Sequence, residues 1–253
     1  MTAALRVEDR ADGLRVLTLV NPARRNALDD GQVAALQAAL ALPAGTRAVL
    51  VRGEGGPFCA GYDLSQLGTA AGGILPDDAL MAALLTLEQC TVPTVALVEG
   101  VAYGAGFDLA CACDFRIGGP SARFCMPPAR LGIVYSAEGV ARLSRLVGPA
   151  RAKWLMLTAE TLGADAALTW GLLDALTPDA EPHALALCQR LARQAPLAVA
   201  GLKQTFQVLA RGPASALDGE RLRALRTAAF QSEDAREGRA AFLEKRPPLF
   251  LGR

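Results

Sequence analysis

The chain has 253 residues, 52% of them apolar and 20% charged, with 26 basic residues against 25 acidic ones. That length can bury the core of one large domain, or of a domain with an appendage. The balanced charge offers nothing that recruits nucleic acid, no apolar run approaches the roughly 18 residues of a membrane span, and the acid-containing start M-T-A-A-L-R-V-E-D-R does not read as a signal peptide.

In chain order, Leu14–Val20 alternates and predicts a strand, and N-P-A-R-R-N at 21–26 a turn. Asp29 or Asp30 caps a helix running to about Leu42, and 46–52 predicts a strand before the G-E-G-G-P turn at 53–57. F-C-A-G-Y-D-L at 58–64 is a small-residue turn before another short helical stretch. A helix over 77–89 and a buried strand over Thr94–Val98 follow. Gly104-Ala105-Gly106 then opens a helix from about Phe107 to Cys113. A short strand is expected over 115–117, and a helix over 136–147 that Gly148-Pro149 stops. Past Ala150 strand signals nearly vanish, apart from 172–176. Helices are expected over 181–194, 196–211, 214–231 and 232–245, the last capped by Ser232 and halted by Pro247-Pro248. Helices such as 217–230 carry apolar residues on more than one face, which suits either a crowded core or contact with another subunit.

Six cysteines, at 59, 90, 111, 113, 125 and 188, lie in apolar contexts without C-x-x-C spacing, as buried reduced thiols of a cytoplasmic protein do. The single histidine, His183, reads as a surface helix residue, which counts against a Ser-His-Asp triad and against a histidine metal site. The turn at 104–106 is more informative. A strand feeding small residues and then a helix leaves unpaired backbone N–H groups where the helix dipole is positive, and small side chains let an oxygen approach them. Alone, such a turn is ordinary. Together with the turn at 58–64, it can aim N–H groups at one oxygen from two sides. A dinucleotide fingerprint is a poorer match, because G-A-G lacks the third glycine.

F-C-A-G-Y-D-L, followed by V-E-G-V-A-Y-G-A-G-F-D-L-A-C-A-C-D at 98–114, resembles the enoyl-CoA hydratase/isomerase (crotonase) superfamily. So do N-P-A-R-R-N-A-L at 21–28 and the ending S-E-D-A-R-E-G-R-A-A-F-L-E-K-R-P-P, so the resemblance spans essentially the whole chain. It implies an α/β fold: a spiral of ββα units over residues 1–195, with a C-terminal helical region over 196–253 that builds homotrimers, often paired into hexamers. The substrate would be an acyl-CoA thioester, with no cofactor beyond that coenzyme A. Its carbonyl oxygen would lie between the backbone N–H groups of Tyr62 and Ala105. Coenzyme A contacts would come from Arg24, Arg25, Ala60, Asp63 and Lys245.

The acid–base positions depart from the family pattern. Hydratases that resemble this chain use two glutamates. Here Asp108 stands at the first position, its carboxylate drawn back by roughly 1.5 Å. Pro128 stands at the second and has no proton to give or take, so two-glutamate hydration is not encoded. Tyr135 follows L-G-I-V, as a tyrosine does in decarboxylases of the superfamily that act on methylmalonyl-CoA. Glu138, in the first turn of the next helix, is an alternative acid or a simple complement to the helix dipole. Three readings stay open: a hydratase/isomerase-type enzyme stabilising a thioester enolate, a decarboxylase using Tyr135, and an acyl-CoA-binding protein without turnover.

Overall fold

The computed structural model describes residues 4–65, 75–210, 212 and 215–253. Its scaffold is a six-stranded sheet built from β1 (Ala4–Asp9), β2 (Leu14–Val20), β3 (Ala48–Gly53), β4 (Thr94–Val98), β6 (Phe115–Gly118) and β9 (Ala175–Leu176), in that spatial order. The β1–β2 pair is antiparallel and every other pairing in this sheet is parallel. A second sheet holds β5 (Val101–Tyr103), β7 (Arg123–Cys125) and β8 (Leu162–Gly163), with β7 in the centre.

The apolar strands follow from burial on both faces of the larger sheet. Leu17 and Leu19 of β2, Val49 and Val51 of β3, and Ala96 and Val98 of β4 face the main core. That core also receives α1 (Asp30–Ala39), α2 (Asp78–Glu88) and α3 (Ala105–Ala112). The alternate residues Leu14, Val16, Ala48, Leu50, Val95 and Leu97 pack on Ala180, Ala184 and Cys188 of α7 (Ala180–Ala192). Caps fix several helix starts. Asp29 accepts from the Gln32 N–H at 2.8 Å, Ser136 caps α4 (Ala137–Val147) and Ser232 caps α10 (Glu233–Glu244).

Several details differ from the sequence expectations, each for a local reason. Helix α1 ends at Ala39 rather than near Leu42. Helix α4 ends at Val147 on Gly148, as expected, but Pro149 also opens a further helix, α5 (Pro149–Thr158), where its missing N–H costs nothing. Strand β4 does not feed the glycine turn directly, because β5 intervenes and pairs in the second sheet. Helix α10 stops two residues before Pro247, on Lys245 in the left-handed region with φ 55°. The strands β1, β7 and β8 and the helix α6 (Ala164–Thr169) carry too few residues or too little alternation to stand out locally. The helical stretch expected after Leu64 lies outside the described residues.

The last three helices, α8 (Pro196–Leu209), α9 (Ala216–Gln231) and α10, contribute little to the core. Leu202, Phe206, Leu217 and Phe230 are exposed, so the crowded-core explanation for their apolar faces does not hold within one chain. Among the described residues no helix is long and apolar enough to cross a membrane. All six cysteines are free and buried, and His183 is an exposed residue of α7.

Candidate active site

The two small-residue turns lie side by side. Cys59 bridges Ala102 of β5, and Leu28 bridges Tyr62, which pins the 58–63 segment from two directions. Asp63 N–H donates to Leu28 O at 2.7 Å, and Leu28 N–H to Gly61 O at 2.8 Å. Gly61 has φ +108°, and a methyl group built on it would lie 3.0 Å from Tyr103 O and 3.8 Å from Ala105 N. Gly106 is tighter: a Cβ there would lie 2.3 Å from Cys59 O and 2.6 Å from Cys59 Cβ. Only glycine allows this approach, which places the start of α3 against the first turn.

This arrangement spends most of the nearby backbone donors on structure. Cys59, Ala60, Asp63, Tyr103 and Gly104 all donate to carbonyls of neighbouring segments. Among the described residues, the N–H groups of Tyr62 and Ala105 donate to none, nor do those of their neighbours Gly61, Gly106 and Phe107. Ala105 is the first residue of α3, behind Gly104 with φ 49° and ψ −117°. Its N–H is one of the helix's orphan donors, at the positive end of the dipole. Starting α3 at Ala105 rather than Phe107 is what puts that donor on the helix.

Asp108 lies one turn further along α3, on the same side as Ala105. It is 1% exposed, and both oxygens are held. Arg142 of α4, 2% exposed, donates from Nε to Oδ1 and from Nη2 to Oδ2, each at 2.9 Å. The Tyr135 hydroxyl donates to Oδ2 at 3.1 Å. Glu88 of α2 accepts from Arg142 Nη1 at 3.1 Å and from Arg145 Nη2 at 2.6 Å. The result is a closed network of two carboxylates and two guanidiniums under the turn. Burial, and then the Asp108 charge, push the Tyr135 phenol well above its ordinary value. Burial pushes Arg142 down more than any single partner raises it, but the hydrogen bonds and charges of Asp108 and Glu88 together outweigh that and hold it above its ordinary value. Gly139 completes the packing: a Cβ there would lie 2.4 Å from Tyr135 Cε1 and 2.9 Å from Asp108 Oδ2.

The sequence reading did not single out Arg142, Glu88 or Gly139. The signal for Arg142 was present, since it shares a face of α4 with the buried Gly139, Leu143 and Val147. A basic residue on that face requires a buried counter-charge. Glu138, by contrast, is exposed at the start of α4, apart from the Asp108 network. Pro128 is buried beside the short 3-10 turn Ala129–Leu131.

The basic residues divide. Arg24 pairs with Asp63, and Arg25 is exposed with φ 51°. Lys245 is exposed at the end of α10, and its neighbour Arg246 is held by Glu237 and Glu244. Ala60 is half-buried and donates its N–H to Arg25 O, joining the first turn to the 21–26 turn. The Tyr62 side chain folds toward α1, where its hydroxyl donates to Asp30. Burial and then that carboxylate raise its phenol above the ordinary value. A cavity of about 540 Å³ abuts the far side of the Asp108 network, lined by Glu88, Arg142 and Arg145 together with Cys111 and Cys113 at the end of α3 and Leu202 and Phe206 of α8.

Known proteins match this chain along nearly its whole length. A carnitinyl-CoA dehydratase of Escherichia coli strain K12 is 36% identical over 221 residues, covering 82% of each chain. A Rhodobacter capsulatus protein named "Probable enoyl-CoA hydratase" is 39% identical over 250 residues, 96% of each. The crystal structure of an enoyl-CoA hydratase from Bacillus anthracis superposes with a TM-score of 0.89 at 28% identity, covering 98% of this chain and 99% of that one. The family model for enoyl-CoA hydratase/isomerase matches residues 9–253, which takes in both glycine turns, the Asp108 network and the C-terminal helices, and the chain therefore belongs to that family.

Proposed function

We propose that the protein binds an acyl-CoA thioester and stabilises its enolate between the backbone N–H groups of Tyr62 and Ala105. The observation that carries this reading is the pair of donors left without partners among the described residues, on two turns that glycines bring together. When the thioester's α-carbon gains negative charge, the charge moves to the carbonyl oxygen, and two aimed N–H groups hold it there. Each such donor is typically worth about 3 kcal/mol in the transition state. Coenzyme A enters as part of the substrate, and the reading requires no resident cofactor or metal. Exposed Arg25 and Lys245 suit its phosphates; Arg24 first has to leave Asp63.

The Asp108 network favours one reaction class within this reading. A carboxylate held at both oxygens by a buried guanidinium is a poor proton acceptor, and Pro128 offers no second acid. Loss of carbon dioxide from a thioester that bears a carboxylate on its α-carbon makes the enolate without a base. Tyr135, at the edge of the network, orients that carboxylate in this reading by turning its single hydroxyl proton from Asp108 Oδ2 to the substrate. Incubation with methylmalonyl-CoA and with crotonyl-CoA, followed by mass spectrometry, tests this choice. Carbon dioxide loss from the first supports decarboxylation, whereas efficient hydration of the second overturns it. Tight acyl-CoA binding by calorimetry with neither product would identify a binder without turnover.

The exposed apolar residues of α8 and α9 suit contact between copies of the chain, in a homotrimer or a hexamer of paired trimers, which light scattering measures directly. Buried free thiols fit a reducing, cytoplasmic setting.

A further inference from the structure

We propose that Arg142 is a positioning residue that decides what Asp108 can do: it fixes the carboxylate as an acceptor for Tyr135 and withholds it from proton transfer. The inference rests on the reading that the two turns hold a thioester oxygen. Asp108 is one turn from the Ala105 N–H, so a free carboxylate there would stand near the α-carbon of a thioester bound at that donor. Arg142 removes that freedom. Its Nε and Nη2 grip the two oxygens at 2.9 Å in the planar fork geometry that guanidinium and carboxylate share. The remaining neighbours reinforce the grip. Tyr135 donates to Oδ2, the Gly139 backbone packs against it, Cys111 is a neutral thiol raised by burial, and Glu88 and Arg145 balance the charge of Arg142. Three of the roughly four lone-pair sites of Asp108 are taken, one on Oδ1 and two on Oδ2, and protonating the remaining Oδ1 site discharges the carboxylate and so weakens both of its bonds to Arg142 in a buried setting.

Releasing the clamp therefore adds a reaction to the protein. With Asp108 free, the α-carbon C–H bond of a saturated thioester breaks, the proton moves to an Asp108 oxygen, and the electron pair moves to the carbonyl oxygen. In heavy water the returning atom is deuterium. The test uses the full chain and butyryl-CoA in heavy water, with deuterium at the α-carbon followed by mass spectrometry. Arg142→Met alone leaves Asp108 buried without its counter-charge and is at risk of unfolding, so the informative variant is Arg142→Met with Glu88→Gln, which removes one charge of each sign. Its exchange rate is expected to exceed wild type by about tenfold, the middle of a range of about 1–100-fold. A general base contributes about 10²–10⁴-fold, less about 100-fold for a group set roughly 1 Å back. Adding Asp108→Asn removes the gain.

Infrared spectroscopy gives a second readout that needs no turnover. On acidification, the carbonyl band of a protonated Asp108 appears in the double variant at higher pH than in wild type, and is missing when Asp108→Asn is added. Rapid wild-type exchange that Asp108→Asn abolishes would overturn the inference. So would a folded double variant that binds butyryl-CoA without faster exchange, or an Asp108 band that appears at the same pH in both proteins. If butyryl-CoA does not bind wild type at all, the thioester reading fails, and the infrared comparison alone decides the role of Arg142.

Discussion

The two halves of the candidate site are built from different materials. The turns at 58–63 and 104–106 offer backbone groups, positioned by glycines that admit no Cβ and by bridges to Leu28 and Ala102. The cluster of Asp108, Tyr135, Arg142 and Glu88 offers side chains, but each of them is already engaged with another. The difference teaches where function and stability part company. Backbone donors with no protein partner cost stability and are available to a ligand, whereas a closed ion network holds helices together and has little left to give.

The comparison can be broken most severely at Arg142. Arg142→Met strands Asp108 in the interior, while the part-exposed Glu88 keeps Arg145, and denaturant unfolding should show a loss of about 3–5 kcal/mol. A loss below about 1 kcal/mol, the range of an exposed pair, would mean the network is not the structural half. Gly106→Ala attacks the other half. Its methyl group collides with Cys59, shifts the Ala105 donor, and should lower turnover or exchange by about 100-fold while circular dichroism stays native. Unchanged kinetics would remove Ala105 from the site.

Tyr135→Phe sharpens the boundary between the halves. It deletes a hydrogen bond to a charged group, worth about 1.5–3 kcal/mol of stability. The phenol of Tyr135 is raised in the folded state, so its contribution is full below the ordinary phenol value of about 10 and declines as pH rises above it. Urea titrations of wild type and Tyr135→Phe should converge with increasing alkalinity; a constant gap would show that Tyr135 does not feel Asp108. The smallest effect is expected at Arg24, whose pair with Asp63 leaves its own side chain exposed. Arg24→Ala should change stability by no more than about 1 kcal/mol. Its calorimetric affinity for an acyl-CoA, compared with Arg25→Ala, shows which arginine meets the phosphates.

Much of the scaffold was legible because local rules acted alone. β2 and β4 have the bounds their apolar runs predicted, Asp29 and Ser232 cap the helices they precede, and Gly104 ends a strand and begins a helix. What failed was non-local. β5 is three residues long and exists because β7 pairs with it across the second sheet. Gly148-Pro149 does stop α4, but the change of chain direction at Gly148 also makes Pro149 the start of α5, which the local signal did not announce.

The same division runs through the site. The sequence by itself determined the family, the two glycine turns and the absence of a second acid at Pro128, because residue type and spacing along one segment are enough for each. The tertiary structure decided what Asp108 touches. An aspartate on a helix is a candidate base until the fold brings Arg142, 34 positions away, against both of its oxygens. Burial then makes that pairing the dominant interaction, because no water remains to replace it.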